Sequence, residues 1–327
     1  MRSLIVIAGL WGLAGSAMAD DEFGGQARAR WEDVQGTAPP SAATLDTELH
    51  GRWRALSGNL VFTQQRPEGG AWRSDARVNE LYASGDALGW QWSAGRKIVA
   101  WDVGYGFRPN DVVQQEQRRT LLPATPQGRA VVQAEHFDAQ TAWTLMWVNP
   151  QRRGDPGTGG DEEALAARAY RHVGAADWHA FARAGEHTRG SLGLATSWVA
   201  TDSLELHASA RRAGAIDVTQ ALAGSTWTGE NKLSLTAEAW FDGSAAPVPL
   251  RRNVYLRAAW DHEGWQPVVD LLLTPADRGR IATAALGWQG DRWRFDAGVR
   301  WVGGPDEAVI AHSPTRRIVY FAATWPF

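Results

Sequence analysis

The chain ends Val319-Tyr320-Phe321-Ala322-Ala323-Thr324-Trp325-Pro326-Phe327, and this stretch decides the fold. Val319, Phe321, Ala323, Trp325 and Phe327 share one parity, while Ile318, Tyr320, Ala322 and Thr324 share the other. A period of two places alternate side chains on opposite faces of a strand. A soluble domain rarely finishes on an exposed strand face with such large aromatics. A sheet whose outer side meets hydrocarbon does so by necessity, because that side must be apolar and its rims favour aromatic residues.

The same alternation recurs upstream. In 44–55, Leu45, Thr47, Leu49, Gly51, Trp53 and Ala55 oppose Thr44, Asp46, Glu48, His50, Arg52 and Arg54. In 292–301, Trp293, Phe295, Ala297, Val299 and Trp301 oppose Arg292, Arg294, Asp296, Gly298 and Arg300, so tryptophan sits at both ends of one apolar face. Segments 204–211 and 232–241 repeat the pattern. One strand alone cannot separate a sandwich from a barrel, but the rhythm of connections can. Short turns near 57–58, 85–86, 138–139, 174–175, 201–202, 229–230, 261–262 and 290–291 alternate with longer polar connectors. Short turns at one end and longer loops at the other are the habit of transmembrane barrels. Eight turns and nine loops predict an all-β, antiparallel transmembrane barrel of about 18 strands. Weak alternation near 77–85, 130–137 and 219–228 leaves 16 as the alternative.

Composition agrees. Mean hydropathy is −0.34, and no run approaches the ~18 apolar residues of a membrane helix. Yet there are 19 Trp against 5 Tyr and 9 Phe, and tryptophan concentrates where bilayer meets water. Residues 1–19 read as a cleaved signal peptide: Arg2, an apolar core from Leu4 to Leu13, and Ala17-Met18-Ala19 as the cleavage site. Residues 20–327 then form a single barrel domain, since no linker-like composition break intervenes. With no cysteine, disulfides and thiolate metal sites are excluded. A net charge of −3 gives no basis for a nucleic-acid partner. Membrane lipid and a polar solute are the partners expected.

A barrel this wide leaves an aqueous lumen unless something fills it. The polar parity assigns to that lumen Arg28, Arg30, Glu32, Asp46, Glu48, His50, Arg52, Arg54, Glu205, His207, Arg211, Glu238, Arg257, Arg292, Arg294, Asp296 and Arg300, nine arginines against six carboxylates. Arginines cluster on the first two strands and the penultimate one, which become near neighbours on closure. Lumen charge tunes selectivity, so the set predicts a weak anion preference or, alternatively, a salt-bridged interior without one. The segment Gly95–Arg119, GRKIVAWDVGYGFRPNDVVQQEQRR, opens the longest connector, 100–130. Its aromatics gain from burial. Folded inward, it would constrict the lumen and offer Arg108, Asp111, Gln114, Arg118 and Arg119 as lining groups. Packed on the outer rim, it would be structural only.

Two motifs carry a resemblance. Trp101-x-x-Gly104-x-Gly106-x-x-Pro109-x-Asp111 follows a Gly-Arg-Lys strand, and Ala237-Glu238-x-x-x-Asp242-Gly243 lies in the hairpin Thr226–Gly243. Together they resemble outer-membrane porins of the alginate-export type. The resemblance implies an 18-stranded barrel in a Gram-negative outer membrane, passing a polyanionic sugar or a small anionic solute. The chain is short for such an exporter, which implies reduced loops and plug elements. Phe327 likewise resembles the C-terminal signal that outer-membrane barrels present to their assembly machinery.

Catalytic and metal motifs are weak. Neither G-x-S-x-G nor H-E-x-x-H occurs. His172, His179 and His187 lack ligand spacing, and Asp155, Asp161, Glu162 and Glu163 read as a solvated loop rather than a Ca²⁺ site. The expectation is a non-enzymatic channel without cofactor or metal. The second reading is a plugged barrel that docks a periplasmic or extracellular partner.

Overall fold

A computed structural model of the chain describes residues 22–114, 119–122, 126–150, 162–214 and 217–327. The expected signal peptide, Arg118, Asp155 and Asp161 lie outside the described residues. Eighteen antiparallel strands follow in order: β1 (Glu22–Gly36), β2 (Ala42–Trp53), β3 (Leu56–Pro67), β4 (Arg73–Ala87), β5 (Trp90–Lys97), β6 (Arg129–Phe137), β7 (Thr141–Val148), β8 (Ala164–Val173) and β9 (Ala176–Gly185). Then come β10 (Arg189–Thr201), β11 (Leu204–Ala213), β12 (Val218–Thr228), β13 (Leu233–Asp242), β14 (Arg252–Trp260), β15 (Trp265–Thr274), β16 (Gly279–Gln289), β17 (Arg294–Gly303) and β18 (Thr315–Pro326). Each strand pairs with its chain neighbours, and β1 pairs with β18, closing an 18-stranded barrel. Closure leaves no free sheet edge. The seam is tied at its lower corner, where Gly25 and Phe327 exchange backbone hydrogen bonds of 2.8 and 2.9 Å.

The alternation sets the faces. On β18, Phe321 is exposed on the outside while Tyr320 and Ala322 are buried within. Around the outside, Trp53, Trp143, Trp178, Trp198 and Trp265 are exposed near the short-turn end, where an aromatic girdle belongs. Two turns lie three residues away from their expected positions at 57–58 and 85–86. The β2–β3 turn is Arg54–Ala55 and the β4–β5 turn is Leu88–Gly89, with Arg54, Leu88 and Gly89 all at positive φ (52°, 54° and 77°). Two-residue hairpins demand such φ values, and sequence reading favoured the nearby glycines, Gly58 and Gly85, which the strands instead absorb.

All three weakly patterned segments are strands, for local reasons. In β4, Asn79 bulges: Asn59 faces Glu80 while Leu60 faces Val78, so the parity flips mid-strand. In β6 and β12 the lumen-facing Val131 and Leu222 are buried (2% and 4% exposed). Their inner face is apolar because something covers it.

Candidate pore lining and constriction

The cover is the connector between β5 and β6, whose described residues, 98–114, 119–122 and 126–128, fold into the barrel. Its first half forms a compact knot around two carboxylates. Asp111 accepts the N–H groups of Trp101 and Asp102 at 2.8 and 2.9 Å and pairs with Arg108 Nε at 2.6 Å. Arg108 also donates to the Gly104 carbonyl at 3.0 Å. Asp102 accepts from Asn110 N–H at 2.6 Å and from the Ser209 hydroxyl at 2.9 Å. Burial pushes the Asp102 carboxyl above its ordinary range, against the hydrogen bonds that hold it charged.

The knot is fastened to β10, β11 and β13. Asn110 Nδ2 donates to the Leu194 and Ala210 carbonyls and to Ser209 Oγ at 2.9–3.2 Å. Glu238 on β13 accepts the N–H groups of Tyr105 and Gly106 at 2.7 and 2.6 Å, and His207 Nε2 donates to it at 2.8 Å. Stacked rings add area: Tyr105 on Tyr255 and Phe107 on Trp240, with centroids 5.8 and 5.7 Å apart. Arg257 lies over Tyr105 and Arg119 over Trp240. Val99, Trp101, Val112 and Val113 complete an apolar cluster with Val131, Met146 and Phe181 from β6, β7 and β9. The lumen wall from β6 to β14 is therefore a packed core.

The opposite wall stays polar and partly open. Arg28 and Arg30 point inward from β1, and Arg28 faces Asp46 across the β1–β2 ladder. Arg30 and Glu32 lie 3.9 Å apart with side chains 23% and 22% exposed. Arg294 grips Asp296 at 2.9–3.1 Å and keeps 33% exposure. Glu48 accepts from Gln26 and Asn59, and Asp46 from Thr63. Arg300 on β17 donates to Thr283 Oγ1 and to the Arg119 carbonyl. Arg30, Glu32 and Arg294 thus keep part of their side chains in contact with solvent. Here the loop comes nearest, with Leu121 and Leu122 packed against Tyr320, Ala322 and Ala285.

The sequence-derived candidates thus divide. Arg28, Arg30, Asp46, Glu48, Arg294 and Arg300 share the polar wall. Arg52 faces inward at its turn end, opposite Glu22. Arg54 and Arg292 sit in exposed turns, with Arg54 over the Trp53 ring, because β2 stops at Trp53 and β17 begins at Arg294. Arg108 and Asp111 (3% and 8% exposed) are buried struts of the knot, so they hold the loop rather than line the passage. Gln114 donates to the Gln127 carbonyl at 2.9 Å, drawing the two legs of the loop together. Arg119 reaches both walls. Sequence reading missed Asn110, Asp102, Ser209 and Tyr255 as fasteners. Each contacts a residue about a hundred or more positions away, which no local pattern encodes.

The histidines are dispersed. His172 pairs with Asp177 at 2.9 Å, His179 accepts from Arg168 at 3.2 Å, and the His187 N–H is bound by Glu162. Glu162 also pairs with Arg183, and Glu163 accepts from Trp147 Nε1.

No protein-family model matches the sequence, and no curated protein does. Solved structures do match in fold. The crystal structure of Acinetobacter baumannii OccAB2 superposes with TM-score 0.62 at 12% identity, covering 96% of this chain and 99% of that one. A multiple mutant of the Rhodopseudomonas blastica porin superposes with TM-score 0.55 at 12% identity, covering 94% of this chain and all of that one. Closed antiparallel barrel, apolar outer belt and inward loop together give this chain the fold of bacterial outer-membrane porins.

Proposed function

We propose that the protein is an outer-membrane channel for small polar, preferentially anionic solutes, and that its passage runs beside β17, β18, β1 and β2. One observation carries this reading. The wall from β6 to β14 is buried under loop 98–128, whereas the opposite wall carries Arg28, Arg30, Arg294 and Arg300 with Arg30 and Arg294 still partly exposed. Those arginines share the wall with Glu32, Asp46, Glu48 and Asp296. The anion preference rests on exposure: Arg294 keeps 33% of its side chain open against 12% for Asp296, and the more exposed charge acts most on a passing solute. The Trp101–Asp111 motif supports the loop architecture more than a sugar substrate, because Trp101, Gly104 and Asp111 pack within the knot. An alginate-like polymer has the resemblance of that motif as its support. The plugged reading has its own support: the Arg300–Arg119 hydrogen bond of 3.0 Å and the Leu122 cluster carry the loop across to β17 and β18.

Single-channel recording in a planar bilayer tests both. Steady unitary steps that shrink when Arg28 and Arg30 are replaced by serine support the channel. A folded, heat-modifiable barrel that stays silent favours the plugged scaffold.

A further inference from the structure

The outer face distinguishes the two leaflets of the membrane. Strand residues that point outward at the long-loop end include Arg66, Arg96, Arg212, Arg252, Arg280 and Arg317. Each stands across a ladder from an outward apolar residue: Ala43, Leu81, Leu192, Phe241, Leu273 and Trp301 respectively. Among the described strand residues, the outward carboxylate at that end is Asp33, which Arg317 meets at 3.9 Å. The short-turn end presents tryptophans instead, with Arg171, opposite Trp178, and His136, opposite Trp143, as the outward charged or titratable groups among the described strand residues. Basic side chains near a bilayer surface favour anionic headgroups, and the long guanidinium stems reach the interface from the belt.

Below Arg212 the belt is indented. A groove of about 950 Å³ crosses β6–β11 with a floor of small residues, including Ala167 and Ala182, between a ridge of Trp147 and Leu165 and a second ridge at Leu192. It is a shallow groove, open along its outward side, rather than an enclosed cavity. It opens outward from the barrel and is lined mostly by apolar side chains, so it suits an apolar guest. At the rim, Arg212 is held by Asp217 and Thr219 while its side chain remains 63% exposed. The nearby Glu163 is engaged by Trp147 Nε1 at 2.8 Å.

Building on the reading that this barrel spans a bilayer, we infer that the groove is a specific site for an acylated, phosphate-bearing lipid of the loop-side leaflet. Acyl chains lie over Ala167 and Ala182, and Arg212 meets the phosphate. The row of arginines around the rim is the charge that selects such a lipid over a zwitterionic one, and the groove is the place where one molecule is retained.

Native mass spectrometry of the detergent-solubilised protein tests this, with bis-phosphorylated lipid A, its dephosphorylated form and phosphatidylethanolamine as probes. One lipid A should stay bound preferentially. Arg212→Ala should lower its retention by about fivefold, the worth of one arginine near an anionic surface. Ala182→Trp should abolish retention of every probe; Ala182→Leu is the milder variant if tryptophan prevents folding, as judged by heat-modifiable mobility. Equal retention of all probes by all variants would overturn the proposal. So would a dimer that Ala182→Trp dissociates, which would make a second copy the occupant. Loss with Ala182→Trp but not with Arg212→Ala would overturn the phosphate assignment. Pore failure would show separately, as a silent wild-type channel with lipid retention intact.

Discussion

Glu238 is the residue on which the inward loop depends most visibly. Its carboxylate is 2% exposed and takes hydrogen bonds from two loop amides and from His207. Hydrogen bonds to a charged group contribute about 1.5–3 kcal/mol each, and leaving a buried donor unmet costs more than the bond returns. Glu238→Gln keeps the shape but turns an amide N–H₂ toward donors. We expect noisier current and faster proteolysis within 98–128, measured by single-channel recording and limited digestion. A second residue reports on pH. Asp138, in the β6–β7 turn, is held down to about 2, first by the Thr141 hydroxyl and then by the N–H groups of Gln140 and Thr141. A depressed carboxyl stabilises the fold above its unfolded value and loses that contribution as pH falls. The midpoint difference between wild type and Asp138→Asn should therefore hold above pH 3.8 and shrink toward about pH 2 in thermal scans. Sequence parity points Glu238 into the lumen, but its role is invisible there, since its two loop partners lie more than 130 positions away.

At the level of elements, the strands were largely legible and the loop was not. Strong alternation in β2, β11, β17 and β18 reflects a polar lumen face against an apolar outer one. Where the loop covers the lumen, the inner face turns apolar and contrast is lost, as at Val131 and Leu222. The Asn79 bulge obscures β4 for a different reason, and its carbonyl in turn receives the Gly128 N–H at 2.8 Å as the loop returns. Inward folding of 98–128 could be argued from its aromatics; the wall it would choose could not. Gly193 makes that choice testable. A Cβ there would sit 1.7 Å from Asn110 Oδ1 and 2.9 Å from the Ala210 carbonyl. Gly193→Ala must push Asn110 off β10 and β11, so we expect larger unitary conductance with the barrel still folded and heat-modifiable. Trp240→Ala removes the surface under Phe107 and Arg119. It should cost about 3–5 kcal/mol of loop and wall packing, read as a lower unfolding midpoint together with more open-state noise.

Across the whole molecule, barrel closure turns distant sequence into one surface. β1 pairs with β18 and β18 with β17, so arginines from the two ends of the chain converge on one wall while the loop fills the other. We propose that the passage beside this wall is open and that its exposed guanidiniums outweigh their carboxylate neighbours. The direct test is the reversal potential of the purified wild-type protein in a planar bilayer under a KCl gradient. Steady channels whose reversal potential has the sign of chloride preference are expected. Cation preference, or no conductance from a folded barrel, would contradict it.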